Sequence, residues 1–129
     1  MENQFSLDSQ QIDEVVEVIR MLASEASDNA EAHGFHKAYN DLMLAAPVEQ
    51  KKSQRRTILL AKLALIASEV GEAVREVHHG NEAAMAEELA DVVIRILDVC
   101  GSEYIDLGSV MLAKMMRNRK RPYLHGKEC

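Results

Sequence analysis

Four carboxylates in this chain are spaced for metal chemistry: Glu69-x-x-Glu72 and Glu88-x-x-Asp91, on either side of Gly80. Residues three apart on an α-helix project from one face about 4.5 Å apart along the axis, so each pair sets two like charges side by side. Such repulsion stabilises nothing by itself. A bound cation explains it, and donors that are all oxygen select a hard ion, Mg²⁺, with Mn²⁺ as a substitute. The pairs are also symmetric about Gly80, with Glu72 and Glu88 eight residues from it and Glu69 and Asp91 eleven. If two antiparallel helices meet at His79-Gly80-Asn81, Glu72 faces Glu88, Glu69 faces Asp91, and all four carboxylates converge. One acidic pair is ordinarily a solvated helix face; two at mirrored distances from a turn call for more.

Other chemistries are removed by what the chain lacks. It has no G-x-x-x-x-G-K-[ST], no G-x-G-x-x-G and no H-E-x-x-H, which excludes P-loop and Rossmann nucleotide sites and the zincin type. The serines are scattered and the histidines His33, His36, His78, His79 and His125 stand in unrelated contexts, so no nucleophilic triad emerges. Glu76-x-x-His79 matches one Glu-x-x-His element of a di-iron bundle, but such a site needs two.

The elements that must position these groups are helical. Ile12, Val15, Val16, Ile19, Leu22, Ala23 and Ala26 recur at helical spacing and predict a first helix from Ser9 to before Gly34. A second helix is expected over Thr57–His79, with Leu59, Leu63, Ile66, Val70, Ala73, Val74 and Val77 as its buried stripe. Gly80 suits the left-handed position after it, and Asn81 suits the cap of a third helix, Glu82–Cys100. Apolar residues nearly encircle that third helix, which points to a subunit interface. A last helix begins near Asp106 and ends before Pro122. Met111, Met115 and Met116 on it read as packing residues.

Between the first two helices, Ala32 to Arg56 is too long for a plain connection and is expected to hold a short helix or act as a lid. Phe35, His36 and Tyr39 there could stack on a nucleobase. Composition alone favours the plainer reading, in which Phe35 and Tyr39 anchor the core and His36 is exposed. Lys62 and Asp98 each lie eighteen residues from Gly80, which predicts an ion pair two turns deeper than the carboxylates.

At 129 residues the chain fits one domain, 1–129, with its motifs in 57–127. Two cysteines, Cys100 and Cys129, suggest neither a disulfide framework nor a zinc site. A polar start and the lack of a long apolar run predict a cytoplasmic protein with no membrane partner. The net charge of −6 argues against nucleic-acid binding. Yet Lys114, Arg117, Arg119, Lys120, Arg121 and Lys127 crowd the end of the chain. A basic patch of that kind suits a polyphosphate, although a solvated tail explains it as well. Lys114 and Asn118 share a helix face that could hold phosphate oxygens and a sugar or base edge.

The runs KLALIASEVGEAVREVHHGN, EELADVVIRILDVCG and KMMRNRKRPYLHGK resemble the MazG-like, all-α nucleoside triphosphate pyrophosphohydrolases. The likeness covers Ile58 to Lys127 and reaches more faintly to Ala32-His33-Gly34-Phe35-His36. It implies an antiparallel bundle of four to five helices completed by subunit association, as a homodimer or homotetramer. It also implies Mg²⁺-dependent hydrolysis of a nucleoside triphosphate, deoxy or non-standard, to the monophosphate and pyrophosphate, a house-cleaning role in the nucleotide pool. Glu69, Glu72, Glu88 and Asp91 would then be the catalytic metal ligands, with Lys114 and Asn118 contacting the nucleotide. Arg117 or Arg121 would support the leaving pyrophosphate, and Phe35 and His36 would lie at the base. His36 departs from the pattern, since relatives more often carry an aromatic residue, commonly tryptophan, there. Two other readings compete: a non-catalytic metal-binding helical oligomer, and a phosphoribosyl-ATP pyrophosphohydrolase.

Overall fold

The structure, a computed structural model, describes residues 5–123, and every regular element in them is helical. Helix α1 spans Ser9–Ala32, α2 Lys37–Ala45, α3 Lys51–His78, α4 Glu82–Ser102 and α5 Leu107–Arg119, with a 3₁₀ turn at Val48–Gln50 leading into α3. Lys127, Cys129, His125 and the last residues of the expected 57–127 core lie outside the described residues.

Local chemistry sets most of the boundaries. Asp8 caps α1 through a reciprocal box: its carboxylate accepts from the Gln11 backbone N–H (2.8 Å) and the Gln11 side-chain oxygen accepts from the Asp8 backbone N–H (3.0 Å). Asn81 accepts from the Ala84 amide at the start of α4 (3.1 Å). Asp106 caps α5, accepting from the Ser109 hydroxyl (2.8 Å) and pairing with Arg20 of α1 (3.3 Å). Those contacts, the Ser109 hydrogen bond foremost, hold the Asp106 carboxyl below its usual range. Gly34 and Gly80 adopt φ of 80° and 67°, the left-handed turns that glycine takes without strain.

Helix α3 begins six residues earlier than its apolar pattern predicts. Lys51 to Arg56 is a run of Lys, Ser, Gln and Arg with no apolar stripe, yet Lys, Gln and Arg are good helix formers. Lys51 also donates to the Met43 carbonyl at the end of α2 (2.6 Å), joining the two helices. The segment between α1 and α3 thus carries the expected short helix, α2, which packs on α3.

Helix α4 packs on both α3 and α1, and α5 packs chiefly on α1, so the order across the molecule is α3, α4, α1, α5. Gly101 permits the α4–α1 contact, because a Cβ there would come within 2.5 Å of the Ala23 carbonyl oxygen. Gly108 does the same for α5, where a Cβ would meet Val16 Cα at 3.0 Å. The core between these helices is thin: among the described residues Ala23, Ala30, Ile58, Ala73, Leu97, Cys100 and Leu112 are the buried apolar ones, and no large side chain is fully enclosed.

Much of the stripe expected to bury α3 faces the other way. Leu63, Val70, Val74 and Val77 are about half exposed or more, and only Ala73 of that set is buried. The side of α3 turned toward α4 carries Lys62, Ile66, Glu69, Glu72, Ala73 and Glu76, all buried or half-buried. Helix α3 places its carboxylates inward and its valines outward. Hydrophobic periodicity identifies an apolar face but not the partner that covers it.

Candidate functional site

The α3–α4 hairpin brings Glu69, Glu88 and Asp91 together, with one carboxylate oxygen of each within 4.8 Å of the others. The tight Gly80 turn sets this register, because it keeps the two helices antiparallel from their first residues. Glu69 and Glu88 are half-buried and Asp91 is exposed. Glu72 lies beside the cluster rather than within it, its carboxylate paired with Arg75 one turn on.

Three carboxylates at this separation are electrostatically unfavourable without a counter-ion. Burial, and after it repulsion from Glu72, Glu69, Asp91 and Glu76, pushes the Glu88 carboxyl above its ordinary range. Glu69 alone has found a cation, the Arg95 guanidinium, whose Nε donates to its Oε1 (2.6 Å). An all-oxygen donor set, partly desolvated and with surplus negative charge, fits a hard divalent cation.

The cluster opens on one side into a cavity of about 310 Å³. Glu69, Asp91 and Arg95 line it together with Phe35, Tyr39, Asn29 and Asp98. Phe35 is 69% exposed, a free aromatic face, while His36 is only 9% exposed and donates from Nε2 to Asp98 (2.7 Å). The expectation that His36 is exposed and Phe35 is a core anchor is therefore reversed. The turn ending α1 directs the histidine inward to α4 and leaves the phenylalanine at the rim.

The predicted Lys62–Asp98 pair does not form. Asp98 is occupied by His36, and the Lys62 ammonium sits over the Tyr39 ring, 5.4 Å from its centroid. Counting from the turn places Lys62 and Asp98 at matching heights, but the segment carrying His36 and Tyr39 enters between them. Both residues still line the same cavity.

The structure does not bring Lys114, Asn118, Arg117 and Arg121 to the carboxylates of their own chain. All four belong to α5 or the turn after it, and α5 packs on α1. Asn118 Oδ1 is buried without a hydrogen-bond partner. Two cations of the α3–α4 hairpin, Lys62 and Arg95, line the cavity instead. For Arg95 a signal was available: it follows Asp91 by four residues and so projects from the same face of α4.

A family model described as "MazG nucleotide pyrophosphohydrolase domain" matches residues 59–124, just over half of the 129-residue chain. The match contains α4, α5 and most of α3, and with them all the carboxylates of the cluster. Comparison with curated proteins and with solved structures gives no significant match.

Proposed function

The chain belongs to the MazG nucleotide pyrophosphohydrolase family, and on that premise we propose that it hydrolyses a deoxynucleoside or non-standard nucleoside triphosphate to the monophosphate and pyrophosphate. One observation carries this reading: Glu69 and Asp91 of the three-carboxylate cluster line the same cavity as the exposed Phe35 ring. Glu69, Glu88 and Asp91 hold the divalent cation, Mg²⁺ or Mn²⁺, with Glu72 adding negative charge beside them. A cation so placed screens the triphosphate and lowers the pKa of water. Phe35 stacks on the base, the Asn29 amide meets its polar edge, and the His36–Asp98 pair stiffens the wall behind it. The whole chain works as one domain, and the physiological role is to clear unwanted nucleotides from the pool.

We also propose that the working form is a homo-oligomer, a dimer at least. Leu60, Leu63, Ala67, Val70, Val74 and Val77 alternate three- and four-residue steps along the outer face of α3. That is the seam of a helix packed on another helix, yet all six are exposed within one chain. Leu89 and Val93 extend the exposed apolar surface onto α4. In such an assembly Lys114, Asn118, Arg117 and Arg121 act on a nucleotide only by reaching the carboxylates of a neighbouring copy.

The test is a panel of ribo- and deoxynucleoside triphosphates with Mg²⁺, with phosphoribosyl-ATP included and the products separated. Monophosphate plus pyrophosphate from a nucleoside triphosphate supports the reading. Turnover of phosphoribosyl-ATP alone reassigns the substrate, and no turnover of any compound leaves a metal-binding helical oligomer.

A further inference from the structure

We propose that Arg95 is a phosphate-binding residue held in reserve by Glu69, released to the triphosphate when the carboxylate cluster takes up its cation. The inference rests on the nucleotide reading above and adds to it a residue and an order of events.

Glu69 accepts from Arg95 Nε at its Oε1 (2.6 Å), and the same carboxylate belongs to the three-carboxylate cluster. One carboxylate cannot serve both cations at full strength. A divalent ion drawn in by Glu69, Glu88 and Asp91 competes for the electron density that Arg95 uses and repels the guanidinium beside it. The pair is asymmetric in the direction an exchange requires. The Glu69 side chain is 17% exposed and needs a positive partner at all times, whereas Arg95 is 43% exposed and can move. Exchanging one cation for another at Glu69 therefore leaves no buried charge unpaired.

The displaced guanidinium remains in the cavity. Arg95 lines it between two other lining residues of α4, about 6 Å along the helix from Asp91 and about 4.5 Å from Asp98. A nucleotide laid along that wall, with its phosphates toward the carboxylates and its base toward Phe35, places the phosphate nearest the nucleoside beside Arg95. A planar guanidinium suits a phosphate, which it can grip through two parallel N–H donors. The fixed order also protects the site: without the cation, Arg95 neutralises Glu69 and is withheld from other anions.

The test uses Arg95→Met in the full chain, with two titrations read by calorimetry. Nucleotide-free protein is titrated with Mn²⁺; protein saturated with Mn²⁺ is titrated with a non-hydrolysable deoxynucleoside triphosphate analogue. Removing the competitor should tighten Mn²⁺ binding several-fold, and removing the phosphate contact should weaken analogue binding about tenfold or more. These shifts run in opposite directions, which loss of a merely structural ion pair does not produce. Arg95→Gln, conservative at an exposed position, must show the same two shifts if the Met variant loses its helical circular dichroism. Mn²⁺ affinity that is unchanged or weaker, or analogue affinity equal to wild type, overturns the assignment. Wild-type protein that binds Mn²⁺ but no analogue overturns the nucleotide reading itself, and the role of Arg95 with it.

Discussion

At the scale of single residues, the carboxylates of the hairpin are not equivalent. Glu69 and Asp91 have oxygens in the cluster, while Glu72 is held by Arg75 beside it. Glu72→Gln should therefore weaken Mg²⁺ binding less than Glu69→Gln does, by about tenfold or more, in calorimetric titrations of each variant. Glu88 gives the site a pH dependence. Its carboxyl is held above the ordinary range by burial, then by Glu72, Glu69 and Glu76 of α3 and Asp91 of α4. The metal-free fold thus binds that proton more tightly than the unfolded chain, so the stability Glu88 contributes is full at low pH and lost as pH rises through the raised value. Melts of chelator-treated protein across that range should show the decline, and Glu88→Gln should remove it. The cation competes for the same oxygen, so metal affinity should fall as pH drops through that range.

At the scale of elements, close helix approach depends on two glycines whose role the apolar pattern does not reveal. Gly101→Ala would drive a Cβ into the Ala23 carbonyl of α1, a backbone group that cannot step aside. The strain of about 1–3 kcal/mol should outweigh the roughly 1 kcal/mol of helix propensity gained, and lower Tm by several degrees in a thermal melt. Tyr104, in the turn before α5, has φ 56° and is 95% exposed. Tyr104→Gly should raise Tm modestly, since about 1 kcal/mol of left-handed strain is relieved and no packing is lost. The helices themselves were legible because caps and periodicity are local: Asn81, Asp106, Gly34 and Gly80 stand where the residue pattern predicts. The approach of Glu69 to Asp91 was legible too, since an antiparallel hairpin with a short turn converts counting into height. What counting could not supply is the third element. The His36–Asp98 bond and the placement of Lys62 over Tyr39 depend on how the segment after α1 folds back, and no spacing within α3 or α4 encodes that.

At the scale of the molecule, a single chain leaves an apolar helix face uncovered. It exposes 9923 Å², against about 6,800 Å² for a compact chain of 14.4 kDa. The outward seam of α3 is part of that excess: its inner face holds Lys62, Glu69, Glu72 and Glu76, and its apolar face is left exposed. Sedimentation equilibrium should give at least twice the chain mass. Val70→Glu combined with Val74→Glu should shift the protein toward monomer with loss of helical signal, because each valine removed from an interface forfeits about 1.5–3 kcal/mol. No described helix is long and apolar enough to cross a membrane, so that face is not explained by a lipid-spanning helix. The measurement closest to the centre of the account is the ³¹P spectrum of a deoxynucleoside triphosphate incubated with Mg²⁺ and the protein, in parallel with Asp91→Asn. Resonances of the monophosphate and pyrophosphate should grow with wild type and be absent with Asp91→Asn, whose circular dichroism stays helical. Pyrophosphate release at the wild-type rate from Asp91→Asn would contradict it.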